Sequence, residues 1–228
     1  MPSVTTASAP RDEQRRRARL VLNRLTRRYP QIGTALEYQN VWQLLVVTVL
    51  SAQTLDDTVN RVAPEVFARW PQPEDLAAAN PEEVEAVIYP TGFYRQKTKS
   101  IIGLAQAIGE HHGGVVPDDL DTLTELPGVG RKTASVVLAE AWDKPAIAVD
   151  THVHRVSRRL ELTANDQPVK IEADLKALYP KRRWSGISMR FIKFGREVCD
   201  AKRPRCWECP LRDLCPWPDK RPAPAAIR

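Results

Sequence analysis

Apolar positions along the chain recur with the period of a helix. From Arg15, residues Ala18, Val21, Leu22, Leu25 and Tyr29 share one face. The opposite face is rich in arginine, and Pro30 and Gly33 close the segment. The run VWQLLVVTVLSAQT, Val41 to Thr54, is ambiguous by period: its β-branched residues suit a strand, while its length suits a buried helix better. DTVNRVAPEVFARW returns to helical spacing. Asn80-Pro81-Glu82-Glu83 predicts a helix start, with Asn80 as cap, proline in the first turn and Glu83 in the capping-box place. Pro90 and Gly92 end that helix, and QKTKSIIGLAQAIGEHH predicts the next, stopped by Gly113 and Gly114. Leu120, Leu123 and Leu126 line a short helix, Pro127 to Gly130 make a tight turn, and a second helix begins at Arg131 with Ala134, Val137 and Leu138 inward. Asp150 stands where it can cap THVHRVSRRL. IEADLKALYP and ISMRFIKFGREV complete the series. No stretch alternates convincingly with period two, the connections are short and no internal repeat is visible, so the fold class is all-α.

Length changes this picture little. The 228 residues suffice for one large domain or two small ones. Charge adds a hint: 34 Lys and Arg against 28 Asp and Glu leave a net +6, which suits a polyanionic partner without specifying one. No run approaches the roughly 18 apolar residues of a membrane span. The N-terminus, MPSVTTASAPRDEQ, lacks a signal-peptide core and reads as a disordered lead. A cytoplasmic protein without membrane contact is expected.

The cysteines add more. All four lie in the last 30 residues, at Cys199, Cys206, Cys209 and Cys215. Disulfides that staple a fold would be spread along the chain, so in a reducing compartment this cluster points to a metal centre. Four thiolates suit tetrahedral zinc and equally a [4Fe–4S] cluster; spacing alone favours zinc slightly, as the commoner structural metal.

The other chemical signal is ELPGVGRKTA, Glu125 to Ala134. Glycine permits positive φ and lets a backbone approach a ligand closely. The following helix presents unpaired N–H groups at its positive end. Together these make a seat for phosphate that reads no base sequence. An ordinary helical hairpin would use the same residues, and PGVG alone does not separate the two.

The longer string LPGVGRKTA resembles the helix-hairpin-helix of DNA-repair glycosylases. SAQTLDDTVN, PTGFYRQKTKSI, ELPGVGRKTASVVL, AIAVDTHVHRVSRRL and the cysteine cluster follow in the order of the endonuclease III family, and the resemblance runs from Tyr29 to Cys215. It implies that Lys132 is the catalytic amine, attacking the sugar carbon that carries a damaged base. The base departs, and the resulting imine permits β-elimination, which cuts the strand 3′ to the lesion. Asp150 matches the catalytic aspartate, for proton transfer and for stabilising positive charge on the sugar. Desolvation, a helix N-terminus and the neighbouring Arg131 would all favour the free amine of Lys132. The resemblance also implies DNA contacts from the hairpin, Gly128, Val129, Gly130 and Arg131. It implies a [4Fe–4S] cluster on Cys199, Cys206, Cys209 and Cys215, with Pro210 and Pro216 stiffening the loop. Lys202, Arg203 and Arg205, within the first ligand interval, become phosphate contacts. A base inside a duplex must be extruded before its sugar can be reached, and Gln53 and Phe93 match the residues that fill the gap, with phenylalanine where the family often has leucine.

Two helical domains follow. Residues 34–144 form a six-helix domain with the hairpin at about 119–141. Residues 12–33 and 145–216 form a discontinuous domain that carries the iron–sulfur loop, 199–215. A disordered lead occupies 1–11 and a flexible tail 217–228. The expected active site is the DNA cleft between the domains, with Lys132 on one side and Asp150 on the other. The expected protein is a monomeric glycosylase and abasic-site lyase that acts on oxidised pyrimidines in double-stranded DNA, nucleoid-associated if bacterial. An adenine glycosylase of the same superfamily lacks the lysine, and a non-catalytic hairpin module needs neither Lys132 nor Asp150.

Overall fold

The computed structural model describes residues 9–184 and 186–223. The expected lead over 1–8 and the end of the tail, 224–228, lie outside the described residues. Among those described, every regular element is helical. The chain divides into two compact units, one being Thr34–Ala146 and the other the segments that flank it.

The Thr34–Ala146 unit is built around α2 (Val41–Leu50), whose side chains from Leu44 to Leu50 are all buried. This resolves the ambiguous run. A helix apolar on every side belongs in the middle of a core, and the Asn40 side chain caps it by accepting from Gln43 N–H at 2.9 Å. Around it stand α3 (Asp56–Arg69), α4 (Pro73–Ala77), α5 (Pro81–Ile88), α6 (Tyr94–His112), α7 (Leu120–Glu125) and α8 (Arg131–Trp142). Val59, Leu76, Ile88, Ile101, Leu104, Leu123 and Val137 close the core. This unit therefore holds seven α-helices among its described residues, where the hydrophobic pattern suggests six. The addition is the five-residue α4, too short to show a period; it starts on Pro73, and Asp75 Oδ2 accepts from Gln72 N–H at 3.0 Å. At α5, Asn80 caps through Glu82 N–H.

The second unit packs α1 (Ala9–Arg28) with α9 (Thr151–Arg159), α10 (Pro168–Leu178) and α11 (Ile187–Glu197). Ala18, Val21 and Leu25 of α1 join Val153, Val156, Leu175, Phe191 and Phe194 in one core. Helix α1 begins at Ala9, so residues 9–11 are helical rather than part of a disordered lead. Pro10 stands in the first turn, and the Glu, Gln, Arg and Ala that follow are strong helix formers. The tail is also corrected near its start: the Arg159 guanidinium lies 4.1 Å from the centre of the Trp217 ring, and Lys220 Nζ donates to Cys215 O at 2.6 Å.

Candidate functional site

The hairpin joins α7 to α8. Asp119 caps α7 by accepting from Thr122 N–H at 2.9 Å, and Leu123 and Leu126 anchor it in the core. The two turn glycines have different reasons to be glycine. Gly128 has φ +75°, and a Cβ there would come within 2.6 Å of Ser100 Cβ on α6. Gly130 has an ordinary extended conformation, φ −87° and ψ 170°, and nothing lies within 4 Å of where its Cβ would be. Gly128 therefore makes the turn, while Gly130 leaves an open face at the start of α8. No side chain caps that helix, which suits an external anion on its first-turn N–H groups.

The Val129 side chain is buried and its N–H donates to Leu126 O at 3.1 Å, so it anchors the turn. Lys132 sits in the first turn of α8 and is exposed, while Ala134, Ser135, Val137 and Leu138 point inward. The desolvation expected from sequence is thus not supplied by this unit's own packing around Lys132.

Gln53 and Phe93 follow the same unit's surface. Gln53 comes after the end of α2 with φ +55°, and Phe93 precedes α6 with φ +49°. Both occupy the left-handed region that non-glycine residues visit at a cost. Phe93 is 67% exposed, which removes core packing as the reason for its aromatic ring. The hairpin turn rests against the two helices these residues terminate, since a Cβ on Gly128 would meet Ser100 of α6 and Val49 of α2.

In the other unit, Asp150 caps α9. Its Oδ1 accepts from His152 N–H at 2.9 Å and from Val153 N–H at 2.8 Å. His154 Nε2 lies 3.2 Å from Asp166 Oδ1, an exposed contact and no part of this arrangement.

The four cysteines surround one cavity, which Leu211 and Trp217 also line. No disulfide joins them. Burial, and then the proximity of the other three sulfurs, pushes the Cys209 thiol up to about 11; burial raises Cys215 as well. Four thiolates held this close in apolar surroundings need a compensating cation, which is what a cysteine-ligated metal centre provides. Among the described residues, no three His, Cys, Asp or Glu side chains close on the position of one metal ion. The four thiols ring one cavity, the donor set of a cysteine-ligated centre. Two donors already point at sulfur: Leu211 N–H to Cys209 Sγ at 3.4 Å and Arg159 Nη1 to Cys199 Sγ at 3.3 Å. From α1, Arg24 donates to Pro210 O and Asp213 Oδ2, both at 2.8 Å, and ties down the end of the loop.

The basic residues of the loop divide. Asp200 Oδ1 accepts from the backbone N–H groups of Lys202 and Arg203 at 2.8 and 2.7 Å, which fixes the turn and leaves both side chains exposed. The Arg205 guanidinium is engaged within the protein, donating from Nε to Glu197 O at 2.9 Å and pairing with Glu208 at 2.9 Å. Arg205 thus secures the loop, and Lys202 and Arg203 carry its available charge.

Sequence reasoning missed one group. Lys97 of α6 is only 5% exposed, and Nζ donates to Thr54 Oγ1 at 2.6 Å and to Thr91 O at 2.9 Å. In QKTKS it looks like one of two surface lysines, and only the tertiary fold reveals its partners.

The chain is similar to known proteins along most of its length. Residues 46–181 match the family described as HhH-GPD superfamily base excision DNA repair protein. Residues 199–215 match the iron-sulfur binding domain of endonuclease III. Endonuclease III of Synechocystis sp. is 46% identical over 204 residues, spanning 89% of this chain and 93% of that protein. A solved non-covalent endonuclease III–DNA complex gives a TM-score of 0.85 at 41% identity, covering 89% of this chain and 95% of the other. A trapped endonuclease III–DNA covalent intermediate gives the same values. The chain belongs to the endonuclease III family of base excision DNA repair proteins.

Proposed function

We propose that Lys132 and Asp150 carry the chemistry of this protein, a DNA N-glycosylase and abasic-site lyase of base excision repair. The observation that carries the assignment is the setting of Lys132: an exposed amine on the first turn of a helix that no side chain caps, directly after a turn with an open backbone face at Gly130. Phosphate bound at that helix start would bring a deoxyribose within reach of Nζ. The amine attacks the sugar carbon, the bond from that carbon to the base breaks, and the base leaves with the electron pair. The nitrogen loses its proton and the bond from the sugar carbon to the ring oxygen opens, which gives the covalent imine; removal of a proton from the adjacent carbon then expels the 3′ phosphate by β-elimination and breaks the strand on the 3′ side. A relative at 41% identity has been trapped as a covalent DNA intermediate, which supports this route.

The protein carries a [4Fe–4S] cluster, and Cys199, Cys206, Cys209 and Cys215 are its ligands in this reading. Bound there, the cluster supplies structural cross-linking of the loop. The chain's own part is to hold Lys202 and Arg203 outward on a turn fixed by Asp200, as phosphate contacts. The substrate is double-stranded DNA with oxidised pyrimidines or abasic sites, met by a monomer acting in the cytoplasm on nucleoid DNA. No helix among the described residues is long and apolar enough to cross a membrane.

Incubation with an abasic-site duplex and borohydride tests the assignment. Wild-type protein is expected to form a covalent adduct that Lys132→Ala abolishes. No adduct from wild type would favour a monofunctional glycosylase or a DNA-binding module, and an adduct of equal yield from Lys132→Ala would place the amine elsewhere.

A further inference from the structure

Gln53 and Phe93 lie on two loops that meet only through tertiary structure, and one buried network joins those loops. Lys97 Nζ donates to Thr54 Oγ1 at 2.6 Å and to Thr91 O at 2.9 Å. Thr54 Oγ1 donates its own hydrogen to the same Thr91 O at 2.6 Å. The triangle is closed: the carbonyl accepts twice, and the hydroxyl accepts once and donates once. Thr54 directly follows Gln53. Thr91 precedes Phe93 by two residues, separated by Gly92 at φ +66° and ψ 160°, a conformation essentially confined to glycine. Thr91 is itself secured, since its Oγ1 donates to Ile88 O at 2.8 Å.

We infer that Lys97 is a positioning residue that sets the spacing and direction of Gln53 and Phe93 as the two enter the duplex. The inference rests on reading those two residues as gap fillers. Both are exposed, and both hold left-handed backbone that costs energy and persists only where surrounding structure over-determines it. A lysine in a buried place is an expensive way to join two loops that any apolar side chain could pack between. What it adds is direction: two short hydrogen bonds from one nitrogen fix the loops in register. A neutral amine has two hydrogens and faces two acceptors here, so burial pushing this amine down to about 8 leaves both bonds intact.

The experiment uses a duplex with an abasic site opposite 2-aminopurine, whose fluorescence rises when the opposite base loses its stacking partner. Thr54→Val and Lys97→Met are each expected to slow that rise about tenfold, with DNA affinity changed less than about twofold, because a misplaced wedge costs rate rather than contact. Thr54→Ser, which keeps the hydroxyl, should restore it. In a Phe93→Ala background, Lys97→Met should add less than about twofold, since the two act through one step. Thermal melting confirms that each variant is folded, and Thr54→Val carries the test if Lys97→Met is not. Wild-type extrusion rates in both Thr54→Val and Lys97→Met, while Phe93→Ala is slow, would overturn the positioning role alone. Wild-type rates in Phe93→Ala and Gln53→Ala would overturn the gap-filling reading and the inference with it.

Discussion

Asp150 Oδ1 accepts the backbone N–H of Val153 at 2.8 Å, and the same oxygen also takes His152 N–H. Among the described residues, Oδ2 has no hydrogen-bond partner. One oxygen caps α9 and fixes the group's orientation; under the proposed assignment the other oxygen is the one that takes part in the chemistry. The two roles are separable. In Asp150→Asn the amide oxygen can still cap, so stability should stay within about 0.5 kcal/mol of wild type, whereas Asp150→Ala should lose about 1 kcal/mol. Both should slow adduct formation with abasic DNA by at least about tenfold, because both remove the negative charge. Urea denaturation and single-turnover trapping read the two effects independently. An Asp150→Asn protein that traps as fast as wild type would reduce Asp150 to a cap.

The two hairpin glycines should separate in the same way. Gly128→Ala forces a side chain into φ +75° and to within 2.6 Å of Ser100. The left-handed conformation alone costs about 1–2 kcal/mol, before any displacement of α6. Gly130→Ala meets open space in an ordinary conformation and should cost less than about 1 kcal/mol, the difference between glycine and alanine at a helix cap. Its methyl group would instead stand on the open face where a phosphate must approach, and affinity for an abasic duplex should fall about tenfold or more. Denaturation curves with fluorescence anisotropy decide this. Unchanged affinity in Gly130→Ala would mean that DNA does not use that face.

The contrast shows how far sequence reaches. Helices with one apolar face, such as α3 and α11, were legible because burial of that face is a local pattern. So was the turn at Gly128, since proline and glycine punctuate any chain. Lys132 and Asp150 are singled out only through strings of neighbours, and the trapping experiment decides their proposed roles. Most of what escaped depends on contacts that only the folded chain makes. The burial of the Val129 side chain in the core shows only in the fold. Arg205 looked like its neighbours until Glu197 and Glu208 engaged it. Lys97 is 43 residues from Thr54, and nothing in either segment announces the other. Helix α4 was missed because five residues are too few for a period to show.

Lys97 should leave a signature in the pH dependence of stability. Its folded amine lies at about 8 against 10.5 when unperturbed, and burial is the cause. At neutral pH the folded protein carries the cost of a buried ammonium. Between pH 8 and 10.5 the folded amine has lost its proton while the unfolded one keeps it. The unfolded state then binds more protons, and stability rises with pH across that window. The full difference corresponds to about 3 kcal/mol. Lys97→Met lacks this contribution, and subtracting its stability from that of wild type at each pH cancels the titration of every other group. The difference should climb in favour of wild type from pH 8 upward; a flat difference would mean that the ammonium is fully compensated where it lies.

The residues that directly follow the iron–sulfur loop should control how well the cluster is kept. Trp217 lines the cysteine cavity and stacks on the Arg159 guanidinium at 4.1 Å. Arg159 in turn donates to Cys199 Sγ, Asp200 O and Ala201 O at 3.3, 2.7 and 2.9 Å. The indole therefore both closes the cavity and holds the cation that braces the first ligand. A half-buried cation–π contact of this kind is worth about 1 kcal/mol. Its removal also opens the cavity to solvent. In Trp217→Ala the helical content should be unchanged, because Trp217 belongs to no helix and neither unit's apolar core includes it. Loss of the cluster's broad visible absorption in air or with an iron chelator should accelerate about tenfold, in proportion to the lost contact energy. Trp217→Phe should recover part of the difference by restoring an aromatic face to Arg159. Equal decay in all three proteins would show that the cluster is protected by the cysteine loop alone and that the tail only rests upon it.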